Sequence, residues 1–284
     1  MVDVKQIGFL HPGEMGISLA ATAQNSGHNA YWVGENRSKE TRARAIKNNL
    51  VEVQTIRELC EKCSVMISVC PPHAATDVAR LVLAENFVGL YADANAISPS
   101  RAQHIGELML KAGVEFVDGG IIGGPAWKPR RTWLYLSGRS ADKIAACFAS
   151  GPLETEVIGD EIGKASAVKM CFAAKTKGET ALLCAIIAAA EQLGVRKELE
   201  NQWSRYDSES VQNNLSRVSR ASLKAWRFSG EMEEIASTFE SAGLPSNFHL
   251  AASDIYQRIT NFKGAHPLPP VEDVIAALLN PKGK

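Results

Sequence analysis

The chain has 284 residues, 45% hydrophobic and 22% charged, and its 31 basic and 31 acidic residues give a formal net charge of +0. That length and composition allow one large or two medium domains with a substantial core, while balanced, scattered charge excludes the basic footprint of a nucleic-acid or anionic-membrane binder. Six dispersed cysteines, with Cys60 and Cys63 the single close pair, make no disulfide or metal framework. The amino-terminal residues read into strand-like sequence without a cationic and apolar leader, and the longest apolar run, Ala181 to Ala190, is shorter than a membrane span of about 20 residues. A cytoplasmic protein is expected.

In chain order, strand-like runs at Ile7 to Leu10, Ala30 to Val33, Val65 to Cys70, Leu90 to Asp93, Phe116 to Asp118 and Trp133 to Ser137 alternate with helical stretches. This alternation predicts an α/β half of Rossmann type, a doubly wound parallel sheet whose ligands lie at the carboxyl ends of its strands. From Lys164 to Leu193 the alanine- and leucine-rich sequence contains no proline and predicts one helix, about 45 Å long. Leu199 to Arg205, Val211 to Phe228, Glu231 to Ala242, Phe248 to Thr260 and Val271 to Leu279 are also helical in pattern. The boundary falls near residues 158 to 163, giving an α/β domain over 1–160 and an all-α domain over 161–284 that opens on the long interdomain helix.

The most informative segment is His11-Pro12-Gly13-Glu14-Met15-Gly16, between the first strand and the first helix. Glycine lets phosphate oxygens approach the backbone, and a helix N-terminus presents unpaired N–H groups and positive partial charge to them. The usual fingerprint has a third glycine, where this chain has His11. A turn without ligand is the structural alternative.

Three motifs, Gly8-Phe-Leu-His-Pro-Gly-Glu-Met-Gly16, Asp118-Gly-Gly-Ile-Ile-Gly-Gly124 and Gly163-Lys-Ala-Ser-Ala-Val-Lys169, together with the order of the two halves, resemble the 6-phosphogluconate dehydrogenase and β-hydroxyacid dehydrogenase superfamily. Asp93 to Pro99, Leu134 to Gly138 and Lys169 to Gly178 look more narrowly like its branch with a phosphogluconate-dehydrogenase-like C-terminal domain.

The resemblance implies an NAD(P)-dependent oxidoreductase acting on an alcohol or carbonyl compound, with Lys169 as general acid/base. Cofactor contacts are then expected from His11, Pro12, Gly13, Glu14, Met15 and Gly16. At the end of the second strand, Glu35 would accept from a ribose hydroxyl of NAD, whereas Asn36, Arg37 and Ser38 resemble an element that holds the 2′-phosphate of NADP. NADP is the expected cofactor, with NAD the alternative. Cys70, Pro71, Pro72 and Asn95 would flank the nicotinamide, and Asn95 is also a catalytic candidate, although Asn95 equally suits a turn.

Substrate contacts are expected from a glycine loop, at Gly120, Ile121, Ile122 and Gly123, from Arg131 beside Arg130, and from Ala173 and Glu231. Ile122 stands where the family carries a carboxylate-gripping serine, Ala173 replaces an amide, and Gly230-Glu231 replaces a Lys-Asp pair, so small β-hydroxyacids are poor candidates. An imine reductase of the same architecture and a non-catalytic nucleotide-binding sensor are the alternatives. The resemblance also implies a homodimer and a small-molecule substrate, with no metal, nucleic acid or membrane partner.

Overall fold

The computed structural model describes residues 3–280. The first half alternates β1 (Gln6–Phe9), α1 (Glu14–Asn25), β2 (Asn29–Val33), α2 (Lys39–Lys47), β3 (Val51–Val53), α3 (Ile56–Lys62), β4 (Val65–Ser68), α4 (Ala75–Ala84), β5 (Leu90–Asp93) and α5 (Pro99–Lys111). The hydroxyls of Ser38, Thr55 and Ser98 accept first-turn N–H groups of α2, α3 and α5, which sets those helix starts. β6 (Glu115–Gly123), β7 (Thr132–Ser137), α6 (Ala141–Ala146) and β8 (Leu153–Val157) complete the α/β half.

The strands form one sheet in the order β3-β2-β1-β4-β5-β6-β7-β8. The strands from β3 to β6 in that order are parallel, as expected, but β7 runs antiparallel to β6 and carries β8 parallel to itself. Residues 124–131 between β6 and β7 are too few for a helical crossover, so the chain turns back as a hairpin. The expected glycine loop is therefore corrected to strand: Gly119 to Gly123 belong to β6. Neither β3 nor β8 has the apolar run by which the other strands are legible. Both lie at the sheet edges, where Glu52, Glu154 and Glu156 remain partly exposed.

Helices cover both faces. Ile17, Leu19 and Ala20 of α1 and Ile144 of α6 pack with Ile7, Phe9 and Ile67 on one side. Leu59, Val78, Val82, Ile105 and Met109 pack with Met66, Tyr91 and Phe116 on the other. This is the doubly wound arrangement.

α7 (Lys164–Gln192) runs unbroken and ends before Gly194, whose φ of +71° suits a helix C-terminus. The chain divides into two compact units within α7, between Met170 and Cys171, which leaves Lys169 in the first. The second unit contains α8 (Arg196–Tyr206), α9 (Ser210–Ser222), α10 (Ala225–Ser241), α11 (Asn247–Gln257) and α12 (Val271–Leu279). The expected helix Val211 to Phe228 is in fact two, broken at Leu223 and Lys224, and its last part joins the expected Glu231 to Ala242 segment as α10. Neither glycine nor proline marks that break. Arg217 donates to the Thr180 hydroxyl at 2.7 Å and Tyr256 to the Lys177 carbonyl at 2.7 Å, holding α9 and α11 to the later turns of α7. No described helix is long and apolar enough to cross a membrane.

Candidate dinucleotide and catalytic site

β1 and β4 are neighbours, and the chain leaves them toward opposite edges, so a crevice opens at their carboxyl ends. The glycine turn lies there. Gly13 is the N-cap of α1 and provides no side-chain cap, and a Cβ added to it would meet nothing within 4 Å. A Cβ on Gly16 would stand 2.2 Å from the His11 carbonyl oxygen. The two glycines have separate tasks: Gly16 lets α1 cross its own turn, and Gly13 leaves room before the first-turn amides. Such a cradle suits a diphosphate. Pro12 is buried, Glu14 faces solvent and Met15 packs on the core, so Glu14 and Met15 offer backbone to the crevice.

His11 occupies the position of the missing glycine, with its Nδ1 buried and unpartnered in the fold. Burial, helped by the charge of Arg37, pushes its pKa down to about 4, so the ring is neutral at physiological pH.

After β2, Glu35 is exposed and Asn36 turns the chain with φ of 57°. Ser38 is engaged as the cap of α2. Arg37 folds back over the turn, its Nη2 donating to the Leu10 carbonyl at 3.0 Å, while its buried Nε has no partner in the fold. The guanidinium thus lies beside the crevice with a spare donor.

Cys70, Pro71 and Pro72 follow β4. Burial pushes the Cys70 thiol up to about 12, with Asp93 adding to the shift, so the group stays protonated. The Asn95 side-chain oxygen accepts the Cys70 N–H, and its amide donates to Ser68 Oγ at 3.1 Å and Asp93 Oδ2 at 2.9 Å. Asn95 is 2% exposed. Both amide hydrogens are therefore committed within the fold, so that Asn95, expected as a catalytic candidate, instead ties the loop after β4 to the end of β5.

Lys169 is fixed through the start of α7. Asp118 is fully buried and accepts from Ser137 Oγ, from the Gly163 and Ser166 N–H groups, and from Ser166 Oγ at 2.6 Å. Ser137 Oγ in turn accepts the Ala165 N–H at 3.1 Å. A Cβ on Gly120 would meet the Ala165 carbonyl oxygen at 2.4 Å and the Lys169 Cβ at 3.0 Å. The space expected for substrate at Gly120 is filled by the first turns of α7, and the absent side chain allows this approach. Lys169 is half-buried at that contact.

Of the other expected substrate residues in the first unit, Ile122 follows Gly120 on β6 and is half-exposed. Ile121 is buried in the core on the α1 side, and Gly123, with φ of +117°, ends the hairpin strand. Arg130 and Arg131 are exposed at the hairpin tip. Ala173 is fully buried and presents no surface to a ligand. Glu231 is buried in the second unit, 2.8 Å from Lys177 and 3.1 Å from Arg227, in an ion-pair group of the helices. Asp118, Ser166, Ser137 and Asp93 were not identified as site residues from sequence. Asp118 and Ser166 stand inside the motifs that carry the resemblance, but their pairing joins positions 48 residues apart. Among the described residues no His, Cys, Asp and Glu group suits a metal.

A glycine-turn crevice at the switch point of a doubly wound sheet defines a dinucleotide-binding protein. Residues 6–147 match the model of the NAD binding domain of 6-phosphogluconate dehydrogenase, and the chain belongs to that family. Residues 190–259 match a domain of unknown function, DUF1932. An uncharacterized 28.5 kDa protein of Methanothermus fervidus is 29% identical over 194 residues, 68% of this chain and 74% of that protein. The conserved protein MTH1747, whose structure is described as similar to 3-hydroxyacid dehydrogenases, is 26% identical, with a TM-score of 0.63 over 92% of this chain and 100% of its own. The Mycobacterium tuberculosis 3-hydroxyisobutyrate dehydrogenase shares the fold at 17% identity, with a TM-score of 0.66 over 98% of this chain and 100% of that one.

Proposed function

We propose that this protein is an NAD(P)-dependent oxidoreductase that interconverts an alcohol and a carbonyl compound, with Lys169 as general acid/base and NADP as the preferred cofactor. The observation that carries the reading is the seating of Lys169 against Gly120, on a helix whose start is anchored by Asp118 to the same strand. Gly13 and the first-turn amides of α1 would hold the diphosphate, and Arg37 the 2′-phosphate. When bound, the nicotinamide supplies the acceptor or donor of a hydride. The Lys169 amine takes the hydroxyl proton as the carbinol C–H bond breaks, and in the reverse direction its ammonium returns that proton to the carbonyl oxygen. Rigid anchoring matters because proton transfer requires the amine within hydrogen-bond reach of the reacting oxygen.

The active form is proposed to be a cytoplasmic homodimer. Leu182 and Ile186 of α7, 48% and 38% exposed, supply apolar surface for the partner copy. A dimer is expected by light scattering, and a monomer at working concentration would contradict it.

The test of the catalytic reading is Lys169→Ala, assayed with both cofactors against a panel of alcohols and carbonyl compounds. Turnover should fall by about 10²- to 10⁴-fold with NADPH affinity retained. Undiminished turnover would remove the assignment.

A further inference from the structure

We propose that the substrate group next to the reacting carbon is bulky and apolar, an aryl or branched aliphatic substituent, seated on Ile122, Trp133 and Tyr135 along the α7 face of the β6–β7 hairpin. The inference rests on the reading of Lys169 as the acid–base group.

Register fixes which side chains share this face. Directly paired residues of an antiparallel ladder project to the same side, and every second residue returns to it. Asp118 pairs with Ser137, Gly120 with Tyr135, and Ile122 with Trp133. The first two pairs meet α7: Asp118 accepts from Ser166, Ser137 from Ala165, and Gly120 lies against Ala165 and Lys169. Tyr135, Ile122 and Trp133 therefore continue the surface on which Lys169 stands, Tyr135 in the cross-strand pair at the Lys169 contact and Ile122 with Trp133 about 7 Å further along the hairpin. All three are half-exposed. The alternate residues Ile121, Leu134 and Leu136 are 6%, 1% and 0% exposed and belong to the opposite core.

β6 ends its pairing with β5 at Asp118, so this stretch of hairpin stands beyond the end of β5, at the ligand-binding edge of the sheet. Two aromatic rings and a branched aliphatic side chain beside a proton-transfer group form a wall for an apolar substituent. A carboxylate bound at the same place would face Ile122 and two rings, with no cation among these three residues to offset its desolvation.

The experiment compares two alcohols that differ at one substituent. 1-Phenyl-2-propanol and 3-hydroxybutyrate share a methyl carbinol and carry phenyl or carboxylate one carbon away. Calorimetric titration of each into the NADP⁺-loaded full chain should give tighter binding of the phenyl compound by at least about tenfold. Trp133→Ala should remove most of that preference with NADPH affinity unchanged. Ile122→Ser, a milder change at a half-exposed position, should shift the preference toward 3-hydroxybutyrate and decides the matter if the tryptophan variant fails to fold. Equal or tighter binding of 3-hydroxybutyrate, no binding of the phenyl compound, or a preference unmoved by both variants would overturn the proposal. Binding is read without turnover, so a phenyl preference in a protein whose Lys169→Ala variant stays fully active would sink the acid–base assignment and leave the apolar wall standing.

Discussion

Asp118 and Ser166 are joined twice, the carboxylate accepting the serine N–H at 3.0 Å and its hydroxyl at 2.6 Å, and this pairing ties a β-strand to the helix that carries Lys169 one turn later. Burial pushes the Asp118 pKa up, against donors that favour the charged form, so the group tolerates little change. Asp118→Ala should cost about 3–5 kcal/mol in urea unfolding, since it leaves buried donors without their acceptor. Ser166→Ala should cost about 1–2 kcal/mol and lower kcat more than it raises KM, because a loosened helix start misplaces the amine without removing a ligand contact. Unchanged stability in both variants would show that the helix start is held by other contacts.

The two glycines of the turn make opposite predictions. Gly13→Ala adds a methyl group to open space, at a φ of −68° that any residue adopts. Its unfolding midpoint should stay close to wild type while the Kd for NADPH rises by at least about tenfold, a cost of about 1.4 kcal/mol. Gly16→Ala drives its Cβ against the His11 carbonyl oxygen and should lose stability and cofactor binding together. Fluorescence titration with NADPH and thermal unfolding separate these outcomes, and tight NADPH binding by Gly13→Ala would argue against a diphosphate at that place.

Arg37 tests cofactor choice. Its donor to Leu10 would be released when the guanidinium turns to a 2′-phosphate, and only NADPH offers that group. Arg37→Ala should weaken NADPH by at least about tenfold and NADH by much less, in parallel fluorescence titrations. An equal loss for both dinucleotides would assign Arg37 to supporting the turn around Leu10 and His11.

Sequence made the order of the two halves, the glycine turn and the long helix legible, because each has a local signal: an apolar run before Gly13, alternating elements, and helix formers without proline from Lys164 onward. Edge strands β3 and β8 lacked such a signal because half-exposed strands keep their glutamates. Local propensity also carried through the break at Leu223 and Lys224. The glycines of β6 look like a loop in sequence, and only packing shows that Gly120 is small to admit the Ala165 carbonyl. The roles of Asn95 and Glu231 were hidden for the same reason: their partners, Ser68 and Lys177, are distant in the chain.

Asp93 and His11 should give opposite pH dependences of stability. Burial, the largest cause, and nearby Asp118 raise the Asp93 pKa from 3.8 to about 7, against the donors of Asn95. The folded state then binds a proton that the unfolded state releases, so this stabilisation is complete below pH 3.8 and is lost as pH rises through about 7. His11 is lowered from 6.5 to about 4, so its contribution is present above 6.5 and is lost as pH falls toward 4. In urea unfolding between these limits, Asp93→Asn should make stability rise more steeply with pH than wild type, and His11→Asn should make it fall more steeply. A variant curve parallel to wild type would show that the residue has the same pKa folded and unfolded.

The buried ion pair of the second unit yields an asymmetric result. Lys177 and Glu231 are 13% and 5% exposed at their side chains and stand 2.8 Å apart, while half-exposed Arg227 approaches the same carboxylate at 3.1 Å. Glu231→Gln removes the carboxylate from a buried ammonium and should cost about 3–5 kcal/mol. Lys177→Met leaves Glu231 with Arg227 and buries an unbranched apolar chain of similar length, so a cost of about 1–2 kcal/mol is expected. The double variant Lys177→Met with Glu231→Gln should lose less stability than the sum of the single losses, because neither charge is then left behind. Urea unfolding of the four proteins closes the cycle. Strict additivity would mean that the two charges do not act as a unit, and a Lys177→Met loss as large as that of Glu231→Gln would mean that Arg227 does not compensate.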